Sequence, residues 1–481
     1  MKESLRNKAA SGAIWKTIEQ LVSKLVGFGV GIVLARKLSP SDFGIVGMLA
    51  IFIAVANTLQ DSGFGSALIQ KKDRTQSDFS TAFFFNILSA VIVYLVLFFA
   101  APLIASFYKT PILKDVTRVL ALSVILNGIN GVQMAKLNIE FKFRFISIVS
   151  IIGQLVTGVV GVCLALKGFG VWALVYQSLA ALVITTIIIW AYSNWRPSLA
   201  FSFKSFKKLF SFGGNLLGVG LINVIYNNLY TIVIGRVFSP MLVGMYNRAN
   251  SYANLPTSCI MDMALRVNFP ILASIQDDEK RLINAYEKLL RTPLYVLYPI
   301  LVWIIVVAKP LVVVMIGEKW LPCVPMLQIL CVGAMFVPLN GMNVNLLYVK
   351  GRTDLALKLE FIKKPLGIFL LFALIPAGIY WMIAGRAVYS IIVYMINCYY
   401  IKKILNYGFL EQVKVLVPIM LNALLMGLIC YFSMFVFNSD WPKLLTGTIV
   451  SALSYILISI VRKDESFFDI LNIVKEKIKR A

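Results

Sequence analysis

Apolar runs of about twenty residues recur from end to end of this chain, and they leave it few ways to fold. The clearest is STAFFFNILSAVIVYLVLFFAAPLIASF at 80–107. A bilayer core of ~30 Å takes about 20 apolar residues per helix. Lipid offers backbone N–H and C=O groups no partners, so such runs must be helices. Hydrophobic residues make up 59% of the 481, charged residues only 14%, and mean hydropathy is +0.83. A soluble domain is typically ~45–50% apolar, so a soluble enzyme is excluded.

The runs and their interruptions predict an all-α polytopic membrane protein with fourteen spans. They lie near 13–35, 43–63, 81–106, 117–137, 146–166, 170–192, 210–235, 242–265, 292–315, 322–349, 357–376, 378–400, 413–437 and 443–461. Lys and Arg are retained in cytoplasmic loops. With the N-terminus inside, 31 of the 46 fall on inside segments, from Lys2, Arg6 and Lys8 to the six after residue 461, and 10 fall outside. Both termini are therefore expected in the cytoplasm. The net charge of +24 is spread over short loops, which reads as a topology signal plus attraction to anionic lipid rather than a nucleic-acid surface. The first run is long and lacks a small-x-small cleavage site, so it is expected to remain as a span.

The chain has no histidine, the commonest general base and metal ligand. Its six cysteines are scattered through apolar segments without a C-x-x-C, which reads as buried single thiols rather than a disulfide framework or metal site. No catalytic residue, metal site or cofactor site is expected, and every outside loop is too short to carry glycan-transfer chemistry.

One loop is written twice. ARKLSPSDFG at 35–44 and GRVFSPMLVG at 235–244 share Arg, Ser, Pro and Gly at one offset. Six spans separate them, so both face the same side, as in carriers built from two parallel repeats. The expected architecture is two pseudo-symmetric six-helix lobes, 1–192 and 210–401. A basic cytoplasmic linker at 193–209 joins them, and a helix pair with a basic tail follows at 402–481.

Polar residues inside a membrane are costly and face a bundle interior or wet cavity. Lys16, Gln20 and Lys24 recur at i, i+4, i+8 in the first span, beside Glu19. Asn223, Asn227 and Tyr226 lie in the seventh; Asn247, Arg248, Asn250 and Asn254 in the eighth; Asn57 and Asp61 in the second. For the Asn residues, interhelical hydrogen bonding is the competing role; for Lys24 and Arg248, it is a salt bridge to Glu19 or Asp61. Arg386 reads as interfacial. Lys24 and Arg248, with Gln20, Asn223, Tyr226, Asn227, Asn247, Asn250 and Asn254, make a cavity suited to an anionic, sugar-bearing ligand. Glu19 and Asp61 are the ion-coupling candidates. The segment 275–291 reads as an amphipathic helix on the membrane surface, or as a docking site for a glycan-assembly enzyme.

The stretch SGAIWKTIEQLVSKLVGFGVGIVLARKLSPSDFGIVGMLAIFIAVANTLQDSGFGSALIQKKDRTQSDFSTAFFFNI and the loop NFPILASIQDDEKRLINAYEKLLR resemble the polysaccharide transporter family. It belongs to the multidrug/oligosaccharidyl-lipid/polysaccharide exporter superfamily, and the similarity is strongest to the branch exporting colanic acid, teichuronic acid and lipopolysaccharide O-units. The resemblance implies two lobes around a cationic cavity in the bacterial cytoplasmic membrane. It also implies a substrate: oligosaccharide linked to undecaprenyl pyrophosphate, flipped by alternating access. In such flippases basic residues on the first and eighth helices face the cavity, where this chain has Lys24 and Arg248. The alternatives are a multidrug or cation antiporter of the same superfamily, or a membrane glycan polymerase or ligase.

Overall fold

A computed structural model describes residues 2–480, with side chains described outside 2–10, 212, 215, 262–263, 265–267, 470, 473–474 and 476–480. The inside charges at Lys2, Arg6, Lys8, Lys477, Lys479 and Arg480 therefore lie outside the described side chains. The chain divides into two compact units, Met1–Gly244 and Met245–Ala481. The first holds α1 (Lys2–Lys37), α2 (Pro40–Asp61), α3 (Phe64–Gln70), α4 (Gln76–Phe107), α5 (Leu113–Leu120), α6 (Leu122–Ile139), α7 (Phe143–Leu166), α8 (Val171–Tyr192) and α9 (Phe203–Val237). The next helix, α10 (Pro240–Ala273), starts in this unit and continues in the second. The second unit goes on with α11 (Glu279–Val306), α12 (Ala308–Ile316), α13 (Cys323–Ala334), α14 (Phe336–Val349), α15 (Thr353–Ala373), α16 (Ile379–Leu405), α17 (Phe409–Ser433), α18 (Asp440–Val461) and α19 (Glu465–Arg480). The described residues contain no strand.

All fourteen expected spans fall on helix. Twelve segments among the described residues are long and apolar enough to cross a membrane. The other two spans lie in α10 and α15; the latter carries Lys358, Glu360, Lys363 and Lys364, and Lys363 and Lys364 both pair with Glu360, at 3.2 and 3.6 Å. Three spans are split at a single residue, at Ala121, Val307 and Met335. Proline explains two of these. Pro310 and Pro338 have no N–H to give the carbonyls four residues back, and those belong to Val306 and Ala334, where α11 and α13 end.

The amphipathic segment at 275–291 is not a separate surface helix. From Glu279 it is the first half of α11, continuous with the span. Leu282, Tyr286 and Leu290 are fully buried in the protein rather than turned to lipid. Tyr286 donates to Asn343 Oδ1 at 2.8 Å, and Asn343 and Gln412 exchange amide hydrogen bonds at 2.9 and 3.2 Å. A side chain that finds a buried partner gives more than one lying at the interface, so the helix turns inward.

The repeated loop is a helix start. Ser39 caps α2 and Pro40 is its first residue. The Ser39 N–H donates to Asp42 Oδ2 at 2.9 Å, and the Asp42 N–H to Ser39 Oγ at 3.2 Å. At the second copy Leu242 N–H donates to Ser239 Oγ at 3.3 Å, and Pro240 opens α10. Elsewhere in the first unit, 193–202 is laid along the ends of α4 and α6. Ser198 N–H reaches Ser80 Oγ at 3.0 Å, Ser202 N–H reaches Thr81 Oγ1 at 3.0 Å, and Gln133 Nε2 donates to the Trp195 carbonyl at 3.2 Å. Phe64, Leu68, Phe83, Val132, Trp195 and Leu209 form the apolar core beneath it.

Candidate functional site

In the second unit the 3.6-residue period of α10 puts Tyr246, Asn250 and Asn254 on one face, with Arg248 and Tyr252 on the opposite face. Arg386 reaches this face from α16. Its Nη1 donates to the Tyr246 hydroxyl and to Asn250 Oδ1, the latter at 3.1 Å. Asn254 Nδ2 donates to Asn250 Oδ1 at 2.8 Å and to the Asn250 carbonyl at 2.9 Å. The guanidinium is thus oriented by a phenol and an amide, both neutral. Arg248 lies 5.8 Å from the Tyr252 ring centre and 5.7 Å from that of Trp320, which is fully buried. Aromatic faces stabilise a cation without cancelling its charge. α16 carries no acidic residue, and α10 carries one, Asp262, whose side chain is not among those described. Two half-buried guanidinium groups thus stand on opposite faces of α10, Arg386 among an amide and a phenol and Arg248 between two aromatic rings.

In the first unit Glu19 is buried. It accepts from Lys16 Nζ at 2.5 Å and from Ser147 Oγ at 3.4 Å. Its charge is matched by Lys16 on its own helix rather than by Lys24. Gln20 and Lys24 are half-buried on α1; on α9 Asn223 and Asn227 are exposed and Tyr226 is half-buried. Asn57 accepts from Asn127 Nδ2 at 3.0 Å, the interhelical role weighed for the Asn residues. Asp61 is exposed at the last residue of α2. Asn247 is half-buried on α10.

Within the second unit the structure thus brings Asn250 and Asn254 together with Tyr246 and with Arg386, which the sequence had placed at the interface, and sets Trp320 against Arg248. Arg386 lies seven residues beyond the start of α16, roughly 10 Å along the helix at 1.5 Å per residue. A charge that far into an apolar helix, with no acidic residue on it, was the available signal.

A family model described as "Polysaccharide biosynthesis protein" matches residues 33–325. The chain is 28% identical to the lipopolysaccharide biosynthesis protein WzxC of Escherichia coli (strain K12), over 75% of this chain and 74% of that protein. It is 26% identical to the teichuronic acid biosynthesis protein TuaB of Bacillus subtilis (strain 168), over 73% and 74%. Its fold is similar to that of the lipid II flippase MurJ in an inward closed conformation. That match has a TM-score of 0.77 at 17% identity and covers 94% of this chain and 99% of the other.

Proposed function

The chain belongs to the polysaccharide biosynthesis protein family, and from that membership we propose that it is a flippase for lipid-linked oligosaccharide in the bacterial cytoplasmic membrane. Its cargo is an oligosaccharide repeat unit on undecaprenyl pyrophosphate, delivered to the outer leaflet for surface polysaccharide assembly, with both termini in the cytoplasm. The observation that supports this reading is Arg386, held deep in α16 by the Tyr246 hydroxyl and the Asn250 amide, with Asn254 beside them. A pyrophosphate has the charge to meet them, and the first sugars have hydroxyls to meet Asn250 and Asn254.

Transport proceeds by alternating access. The pyrophosphate pairs with Arg248 and Lys24 while the polyprenyl chain stays in lipid. Arg386 holds Tyr246 and Asn250 in place for the sugar hydroxyls. Gln20, Asn223, Tyr226, Asn227 and Asn247 contribute sugar contacts. The return step draws on membrane potential, worth about 2.3 kcal/mol per charge per 100 mV, or on a cation exchanged at Asp61 or Glu19. The Lys16 pairing leaves Asp61 the better of the two. A drug or cation antiporter would favour an acidic cavity, whereas α16 carries no acidic residue and α10 only Asp262, and the short outside loops leave a polymerase or ligase no catalytic platform.

The test is the leaflet that holds the glycan in cells lacking the protein, read by an external glycosidase. Inner-leaflet accumulation, reversed by wild type and not by Lys24→Ala with Arg248→Ala, is expected. Continued arrival at the outer leaflet, with no other exporter present, refutes the assignment.

A further inference from the structure

A cavity of about 740 Å³ opens between α2, α4 and α9 of the first unit, and every residue lining it is apolar. Phe52 and Leu59 of α2 form one wall and Ile232 of α9 closes the side. The α4 wall straddles Pro102, with Val96 before it and Leu103 and Phe107 after it. Proline at 102 cannot donate to the Phe98 carbonyl. Arg118 takes that carbonyl instead, Nε donating at 3.4 Å with the guanidinium 4.3 Å from the Phe98 ring centre. The interrupted α4 ladder is thus made good from outside the helix. Val96 and Leu103 are 61% and 73% exposed, so the groove opens on the protein surface. One guanidinium stands at its end. Arg236, one turn beyond Ile232 on α9, is exposed. It donates Nη1 to the Phe107 carbonyl at 2.8 Å, 5.2 Å from the Phe107 ring centre.

We propose that this groove is an outer-leaflet seat for the polyprenyl chain of the flipped lipid, with Arg236 meeting its phosphate. The inference rests on the flippase reading and on the orientation that the loop charges predict. Size and shape fit one chain: ligand pockets run ~300–1,000 Å³, and the α4 wall from Ile92 to Phe107 is roughly 22 Å long at 1.5 Å per residue. Half a bilayer core is only ~15 Å, so an ordinary acyl chain leaves part of the wall uncovered, whereas a polyprenyl chain covers it. Charge matches as well: an anionic head on an apolar tail has its counterpart in an apolar groove ending at an exposed arginine.

Full-length protein in nanodiscs is labelled with undecaprenyl phosphate carrying a diazirine in its chain, and adducts are mapped by peptide. Label is expected on the segment containing Val96–Phe107, reduced fivefold or more in Val96→Trp, in Leu103→Trp and in Arg236→Ala. It should be unchanged in Val159→Trp, on an exposed face of α7. Unlabelled undecaprenyl phosphate should compete, and phosphatidylglycerol at the same concentration should not. Label spread equally over α7, retention in both tryptophan variants, or equal competition by phosphatidylglycerol overturns the proposal. The readout needs no transport. Wild-type protein that exports glycan but takes no label at Val96–Phe107 sinks the groove alone, and wild-type protein that takes the label but exports no glycan sinks the flippase reading.

Discussion

Gly44 and Gly244 each sit against the proline carbonyl of the other's loop. A methyl group on Gly44 would overlap the Pro240 oxygen, and one on Gly244 would overlap the Pro40 oxygen. The contact is reciprocal, as two copies related by a twofold would make it, and both glycines belong to the first unit. The loop repeated in the sequence is therefore also a surface that packs on its own copy, and the shared Pro and Gly are the groups that touch. Backbones approach this closely only where side chains are absent.

Alanine at either glycine should destabilise the protein by about 1–3 kcal/mol, the usual cost of overpacking. Because both substitutions spoil one contact, their effects should not add. Thermal melts of Gly44→Ala, Gly244→Ala and the double variant in detergent check this. Full additivity would mean that the two sites act separately.

Arg386→Ala removes a charged donor from the Tyr246 hydroxyl and one of the two donors to Asn250 Oδ1, leaving Asn254 Nδ2 as the other. A hydrogen bond to a charged group is worth about 1.5–3 kcal/mol, and the site loses a charge besides. Outer-leaflet delivery should fall at least tenfold. Arg386→Lys should restore little of it, because one ammonium cannot span both partners as the planar fork does. Delivery at wild-type level in Arg386→Lys would show that charge alone matters.

Trp320→Leu keeps the apolar bulk but removes one of the two rings facing Arg248. A cation–π contact is worth roughly 0.5–2 kcal/mol. Headgroup affinity, read with undecaprenyl pyrophosphate on purified protein, should weaken about 2–30-fold, and Arg248→Ala should weaken it further. An unchanged affinity in Trp320→Leu would detach Trp320 from the site.

Asp78 is fully buried at the start of α4. It accepts from the Thr75 N–H at 2.8 Å, the Thr75 hydroxyl at 2.9 Å and Lys71 Nζ at 2.5 Å. Asp78→Ala removes a capping box and strands the lysine, which is one-fifth exposed. Breaking a buried pair typically costs ~3–5 kcal/mol, so the variant should express poorly and melt early. Asp78→Asn should fall between, keeping acceptors but not the charge. A normal melting curve for Asp78→Ala would contradict the role given to this pair.

Several features of the fold were legible because they are local. Hydropathy placed all fourteen expected spans on helix, and twelve of them are long and apolar enough to cross a membrane, because a run of twenty apolar residues has one answer in lipid. The Ser-Pro signature announced the starts of α2 and α10, because a cap acts on the three residues after it. The same locality explains the misreading of 275–291. Its amphipathic period was correct, but period alone does not say whether the apolar face meets lipid or protein. Asn343 and Gln412, more than fifty residues away, supply the partners that turn Tyr286 inward.

The sequence by itself determined that this chain is a set of membrane helices, with one short loop written twice and polar residues recurring along α1, α2, α9 and α10. Hydrophobicity, helical period and loop charge all act within one or two turns of the chain. Only the tertiary structure decided which stripes acquire a third partner. Arg386 joins Tyr246 and Asn250 across about 140 residues, and Glu19 pairs with Lys16 and leaves Lys24 to other interactions. In lipid the hydrophobic effect does not choose between helix faces, because every face is equally welcome there. The choice falls to close packing at small residues and to hydrogen bonds between distant segments, and neither is written in the spacing of any one helix.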